Sequence, residues 1–132
     1  MTGGSTASEQ FLFDTSALLA YFLDEPGAPT ADEIKRHSLI PFISLSELYY
    51  MIYDKCGEQE ADRIHALVRS WERPLLFPSE TVVLQAGKFK AKYRLGIADS
   101  YIAAIAFTEK LTLLTKDRDF KILRNEISLK FL

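Results

Sequence analysis

Four carboxylates stand at the borders of apolar runs in this chain: Asp14, Glu47, Asp99 and Asp117. In FLFDTSALLAYF, residues 11–22, three apolar residues run straight into Asp14 and a second apolar run starts almost at once. Asp99 shares its helical face with Ile102, Ala103 and Ala106, a stripe that should be buried. A buried carboxylate is costly without a counter-charge, and no Lys or Arg lies close to Asp99 in the sequence. Four acids meeting in one crevice would repel one another unless a cation sat between them. A Mg2+ or Mn2+ ion, held through oxygen ligands and waters, meets that requirement. Each acid also has a plainer use. Asp14 and Asp99 could be helix N-caps, Ser44-Leu45-Ser46-Glu47 fits a capping box, and Asp117 could be a turn residue.

The elements around the acids decide whether they can meet. FLFD reads as a short buried strand and TSALLAYFLDE as a helix ending before Pro26-Gly27. APTADEIKRH predicts a short helix, and LIPFIS a strand that Pro41 weakens. SLSELYYMIYDKCG predicts a helix closed by Gly57. EQEADRIHALVRSWE predicts an amphipathic one with Ala61, Ile64, Val68 and Trp71 on its stripe. PLLF is a weak strand. SETVVLQAGKFKAKY is a helix capped by Ser79, with Val82, Ala86, Phe89 and Tyr93 on one face. ADSYIAAIAFTEK is apolar nearly all round, LTLLT is a clear strand, and DFKILRN is a short helix. In ISLKFL, Ile127, Leu129 and Phe131 alternate with Ser128 and Lys130, as in an outer strand with one wetter face. Strands alternating with helices imply an α/β fold whose parallel sheet is covered on both faces. In such a sheet ligands bind beyond the carboxyl ends of the strands, where all four acids would fall.

At 132 residues the chain suits one domain with a proper core, and a net charge of −2 excludes a generally basic nucleic-acid coat. From Gln85 to Arg124, however, nine Lys/Arg face four acids, a net of +5 that leaves −7 on the rest. A basic segment on an acidic protein is either a footprint for a polyanion or a solvated helix face. Cys56 is the only cysteine, which removes an intramolecular disulfide and a Cys-based zinc site. His37 and His65 sit in polar helices without partners at ligand spacing. No apolar run reaches membrane-spanning length and no apolar signal core opens the chain, so a cytoplasmic protein is expected. MTGGSTASEQ, residues 1–10, reads as a disordered N-terminal extension ahead of a single domain over 11–132.

FDTSALLAYFLDEPG, PFISLSELYYMIY, GIADSYIAAIA and LLTKDRDF resemble, in order and spacing, the four acidic motifs of the PIN-domain family. More closely, residues 11–132 resemble VapC-type toxins of toxin–antitoxin pairs. The resemblance implies a three-layer α/β/α sandwich around a central parallel sheet. It also implies an endoribonuclease dependent on Mg2+ or Mn2+, with Asp14, Glu47, Asp99 and Asp117 as its catalytic and metal-binding acids. Asp119 stands where many relatives carry a further acid and is a secondary metal candidate. Thr15 or Ser16 matches the small hydroxyl residue that follows the first Asp and is expected to position a metal-bound water. Lys90, Lys116, Arg118 and Lys121, with Arg124, are expected to grip RNA phosphates outside the acidic pit. Implied partners are an RNA substrate, a cognate antitoxin and a second copy in a homodimer. Tyr49, Tyr50, Met51 and Tyr53 exceed what one helix can bury and suit such an interface.

Two other classes compete. A phosphotransferase with Asp14 as nucleophile would need a second Asp two residues on, where Ser16 stands. A PIN-like module that binds RNA or protein without cutting would normally have lost an acid, and none is missing. A PIN nuclease acting on other nucleic acid is the remaining alternative.

Overall fold

The computed structural model describes residues 9–132, so residues 1–8 of the expected extension lie outside the described residues. Gln10, just before the first strand, donates to Arg36 O at 3.2 Å and accepts from the Arg73 guanidinium. The chain then runs β1 (Phe11–Phe13), α1 (Thr15–Phe22), α2 (Ala31–His37), β2 (Ser38–Pro41), α3 (Phe42–Cys56) and α4 (Glu58–Ser70). It continues through β3 (Leu75–Leu76), α5 (Glu80–Tyr93), α6 (Ile97–Glu109), β4 (Thr112–Thr115), a 3-10 helix (Arg118–Leu123) and β5 (Ser128–Phe131).

The strands form one parallel sheet in the order β3-β2-β1-β4-β5. β1 is central, with Leu12 opposite Leu113 and Phe13 opposite Leu114. Growth of the sheet goes from β1 towards β3, then returns to the other side of β1 for β4. That reversal leaves a crevice at the carboxyl ends of β1 and β4, where open α/β sheets bind ligands.

Strand alternation builds the layers. Leu12 and Leu113 point into a core with Val82, Ala86 and Phe89 of α5, the buried run Ile102–Ala106 of α6, and Phe120. Phe13, Ile40 and Leu114 point the other way, against Ala17 and Leu18 of α1, Ile34 of α2, Leu48 and Ile52 of α3, and the stripe of α4. The result is the three-layer α/β/α sandwich expected from the sequence. Each Leu, Ile or Phe fully buried in it contributes about 1.5–3 kcal/mol, so both faces of the short strands are needed to hold them.

Several boundaries differ from the sequence reading. The expected strand LIPFIS stops at Pro41, and Phe42, Ile43 and Ser44 already belong to α3. Proline has no N–H to give to a sheet, but its fixed φ suits the entry to a helix. Gly57, with φ of 90°, closes α3 as expected and also opens α4, a backbone that a side chain would strain. α1 ends at Phe22, three residues early, where Leu23 caps it and Asp24 takes a positive φ. The short helix after β4 is of 3-10 type and starts at Arg118. β5 lies at the sheet edge with Ser128 and Lys130 exposed and Leu129 and Phe131 half-buried, as the alternation predicted. Among the described residues no helix is long and apolar enough to cross a membrane.

Candidate active site

Asp14 leaves the end of β1 and caps α1, with Oδ1 accepting the Ala17 N–H at 2.9 Å. Capping is only part of its work. Ser16 Oγ donates to the same oxygen at 2.7 Å, and Thr115 Oγ1 donates to Oδ2 at 2.5 Å. A carboxylate offers roughly four lone-pair sites, so three donors leave the main open acceptor position on Oδ2. Asp14 is only 3% exposed. Burial pushes its carboxyl above the usual value, against the pull of those three donors and with added repulsion from Asp117.

The proton positions of this cluster follow from its partners. The Asp117 N–H donates to Thr115 Oγ1 at 2.9 Å, so the hydroxyl's own proton goes to Asp14. Likewise the Lys116 N–H donates to Ser16 Oγ at 2.9 Å, and Ser16 gives its proton to Asp14. The end of β4 is thereby tied to the start of α1 through two hydroxyl groups.

Glu47 is reached from the same corner. Thr15 Oγ1 donates to Glu47 Oε1 at 2.6 Å and lies 3.0 Å from the buried Ser44 Oγ. The capping-box alternative does not form: Pro41 is the N-cap of α3, and Glu47 sits in the second turn. Asp99 is the third residue of α6, whose N-cap is Gly96, so it is not the cap either. A helix N-terminus favours an anion. Here the opposite effects win, and the half-buried Asp99 carboxyl is pushed up to about 6. Burial is the largest cause, followed by the negative charges of Asp117, Glu47, Asp14 and Asp119. Five acids from four segments therefore share one electrostatic field. Asp117 does serve as a turn residue, capping the 3-10 helix by accepting the Asp119 N–H at 2.9 Å.

Among the described residues, no group of three or more His, Cys, Asp or Glu is gathered closely enough to hold a metal ion. Glu47 and Asp117 are bonded to Thr15 and the Asp119 N–H. The described ion pairs all use other acids. An unneutralised set of oxygen donors at a switch point fits a hard divalent cation, and a softer nitrogen- or sulfur-preferring metal fits poorly. His37 is bonded to Glu9 O, and His65 is exposed on α4.

The basic candidates divide into two pairs. Lys90 Nζ donates to Leu95 O at 3.0 Å, bracing the turn that leads into α6. Lys116 Nζ is paired with Glu25 Oε1 at 2.6 Å. Arg118 and Lys121, both exposed, come together over the Phe131 ring, 4.4 Å and 6.0 Å from its centroid. Arg124 bonds weakly back to Lys121 O. In the tyrosine group, Tyr50 and Tyr53 are exposed, while Tyr49 is half-buried and donates to Asp62. Sequence reasoning missed Thr115 and Ser44, buried hydroxyls that organise the acids, and Glu25, which holds Lys116. Thr115 had a signal: it closes a strand two residues before an acid, where apolar alternation alone would place an aliphatic residue.

Comparison with known proteins gives a family. The PIN domain profile matches residues 11–126, and the chain belongs to the PIN domain family. No curated protein matches the sequence significantly. Among solved structures, the chain is similar to DNA-bound VapBC from Salmonella typhimurium, with a TM-score of 0.75, 18% identity, and coverage of 93% of this chain and 98% of the other. It is also similar to VapBC2 from Rickettsia felis bound to a promoter DNA fragment, with a TM-score of 0.74, 17% identity, and coverage of 92% and 98%. VapBC-5 from Mycobacterium tuberculosis gives a TM-score of 0.65 at 18% identity over 93% and 97%. At such identities these likenesses establish the fold.

Proposed function

We propose that this PIN domain is a metal-dependent endoribonuclease and the toxin component of a VapBC-type pair. The observation that carries the reading is the gathering of Asp14, Glu47, Asp99 and Asp117 beside the carboxyl ends of β1 and β4, where burial and the neighbouring carboxylates raise the half-buried Asp99 carboxyl to about 6. Such a field stores a demand for positive charge, and perturbed acids in a crevice mark functional sites. Asp14 Oδ2, Glu47, Asp99 and Asp117 would hold Mg2+ or Mn2+, with Asp119 as a further ligand. When bound, the ion supplies a more acidic water and screens charge on the phosphoryl oxygens.

The chain's own residues do the rest. Ser16 and Thr115 keep Asp14 an acceptor and leave one acceptor position open on Oδ2. Thr15 fixes the rotamer of Glu47. Asp117 or Asp119, nearer to solvent, accepts the proton released by the attacking water. No Ser, Cys or His nucleophile is required.

The complexes among the similar structures support a protein antitoxin as partner. The exposed Tyr50 and Tyr53 and the exposed Leu84 and Ile97 offer apolar surface for it and for a second copy. The experiment is cleavage of total RNA with EDTA, Mg2+ or Mn2+, with Asp14→Asn alongside. Cutting that metal restores and the variant lacks is the expected result. Equal activity in both proteins would end the catalytic assignment. Silence in both, together with retained RNA or protein binding, would mark a non-cleaving PIN-like module.

A further inference from the structure

Arg118 lies between two acids in the sequence, Asp117 and Asp119, yet among the described residues it pairs with neither. It turns instead onto Phe131, its guanidinium carbon 4.4 Å from the ring centroid. The place of that ring is fixed by the sheet. Phe131 is the register partner of Thr115, whose hydroxyl holds Asp14, and the Leu132 N–H donates to Thr115 O at 3.0 Å. Neighbouring strands lie about 4.8 Å apart, so the ring stands one strand from the acid crevice. Lys121 shares the ring at 6.0 Å, adding a second positive charge at the same spot.

We propose that Arg118, stacked on Phe131, is a platform for one unpaired nucleobase of single-stranded RNA next to the scissile phosphate. An ion pair would have spent the guanidinium on a carboxylate; the ring instead leaves its outer side open to solvent. Single-stranded RNA is held by stacking on aromatic rings and Arg planes, which accept any base. The adjacent Lys121 ammonium is placed to meet the phosphate of the stacked nucleotide. Arg118 thus recognises a base face, and only part of its contribution is charge.

The proposal rests on the RNA reading above, and its test separates the two. Single-stranded RNA oligomers carrying 2-aminopurine at successive positions are titrated, with Ca2+ present, into the full chain bearing Asp14→Asn. Capture on the guanidinium takes the probe out of its stack with neighbouring bases, so its emission rises at one preferred position. Arg118→Lys, which keeps the charge and loses the plane, should abolish that rise and weaken binding about tenfold, the order found when a stacking side chain is removed. Phe131→Leu should do the same. Affinity for an oligomer abasic at that position should be unchanged by either substitution. The rise and the affinity retained in Arg118→Lys would overturn the platform, as would the absence of any rise or binding in the parent. Should Phe131→Leu fail to fold, Arg118→Lys alone decides between these outcomes. A wild type that shows the rise but never cuts would remove the nuclease and leave the platform standing; one that cuts without the rise would do the reverse.

Discussion

Thr115 Oγ1 donates to Asp14 Oδ2 across 2.5 Å, joining residues 101 positions apart at the carboxyl ends of β1 and β4. This hydroxyl also accepts the Asp117 N–H, so it links two of the acids. Thr115→Val removes the donor and the acceptor together while keeping the shape. It should destabilise the fold by about 1–3 kcal/mol, the cost of leaving buried polar groups unmade. Urea unfolding is the measurement: the midpoint should fall in Thr115→Val and recover in Thr115→Ser. An unmoved midpoint in the valine variant would contradict the role.

Asp99 gives a prediction with a definite sign. Its folded carboxyl titrates at about 6 against an ordinary 3.8, so between those values the folded state binds more protons than the unfolded state. Metal-free stability from this group is therefore fully present below about pH 4 and lost as pH rises through about 6. Asp99→Asn has no such loss. In EDTA it should exceed the wild type above pH 6 by about 1 kcal/mol, a figure reduced because the group is half-exposed. Denaturation at pH 4.5 and 7.5 tests this, and a gap equal at both pH values would refute it.

Divalent cation should reverse that penalty. A ligand bound only by the folded state stabilises it by about 2.7 kcal/mol at a hundred times its Kd. Mn2+ or Mg2+ should thus raise the melting temperature of the wild type at pH 7.5 and not that of Asp14→Asn or Asp99→Asn. The rise should shrink below pH 6 as Asp99 takes up its proton. Equal shifts in all three proteins would mean that the ion binds elsewhere.

Thr15 touches Glu47 and would touch no substrate. Thr15→Val should cut cleavage by about 10–100-fold, as removal of a group that orients a metal ligand does. Thr15→Ser should restore it, since the serine hydroxyl can reach the same oxygen. Metal affinity read from melting shifts should fall in parallel. A valine variant with wild-type rate and affinity would show that Glu47 needs no such support.

The sandwich and the grouping of the acids were legible because each rests on local signals. Apolar runs set the strands, and an acid beside each run falls at the same sheet end once the sheet is parallel. Individual roles were less legible. Asp14 and Asp117 are both cap and candidate ligand, and spacing cannot separate uses that coexist. Ser44 to Glu47 looked like a capping box because the N-cap was placed three residues late, at Ser44 instead of Pro41. Lys116 looked free because its partner Glu25 is 91 residues away. Long-range pairs of this kind leave no periodicity to read.

The crossing from β1 to β4 has a consequence for how the protein is made. Asp14 leaves a ribosome about a hundred residues ahead of its partner Thr115 and the acid at 117. Until β4 inserts beside β1, the nascent chain carries scattered carboxylates and has no catalytic centre. Closing so long a loop is entropically slow. The activity proposed for this protein is thus withheld by topology alone until β4 has been made and inserted.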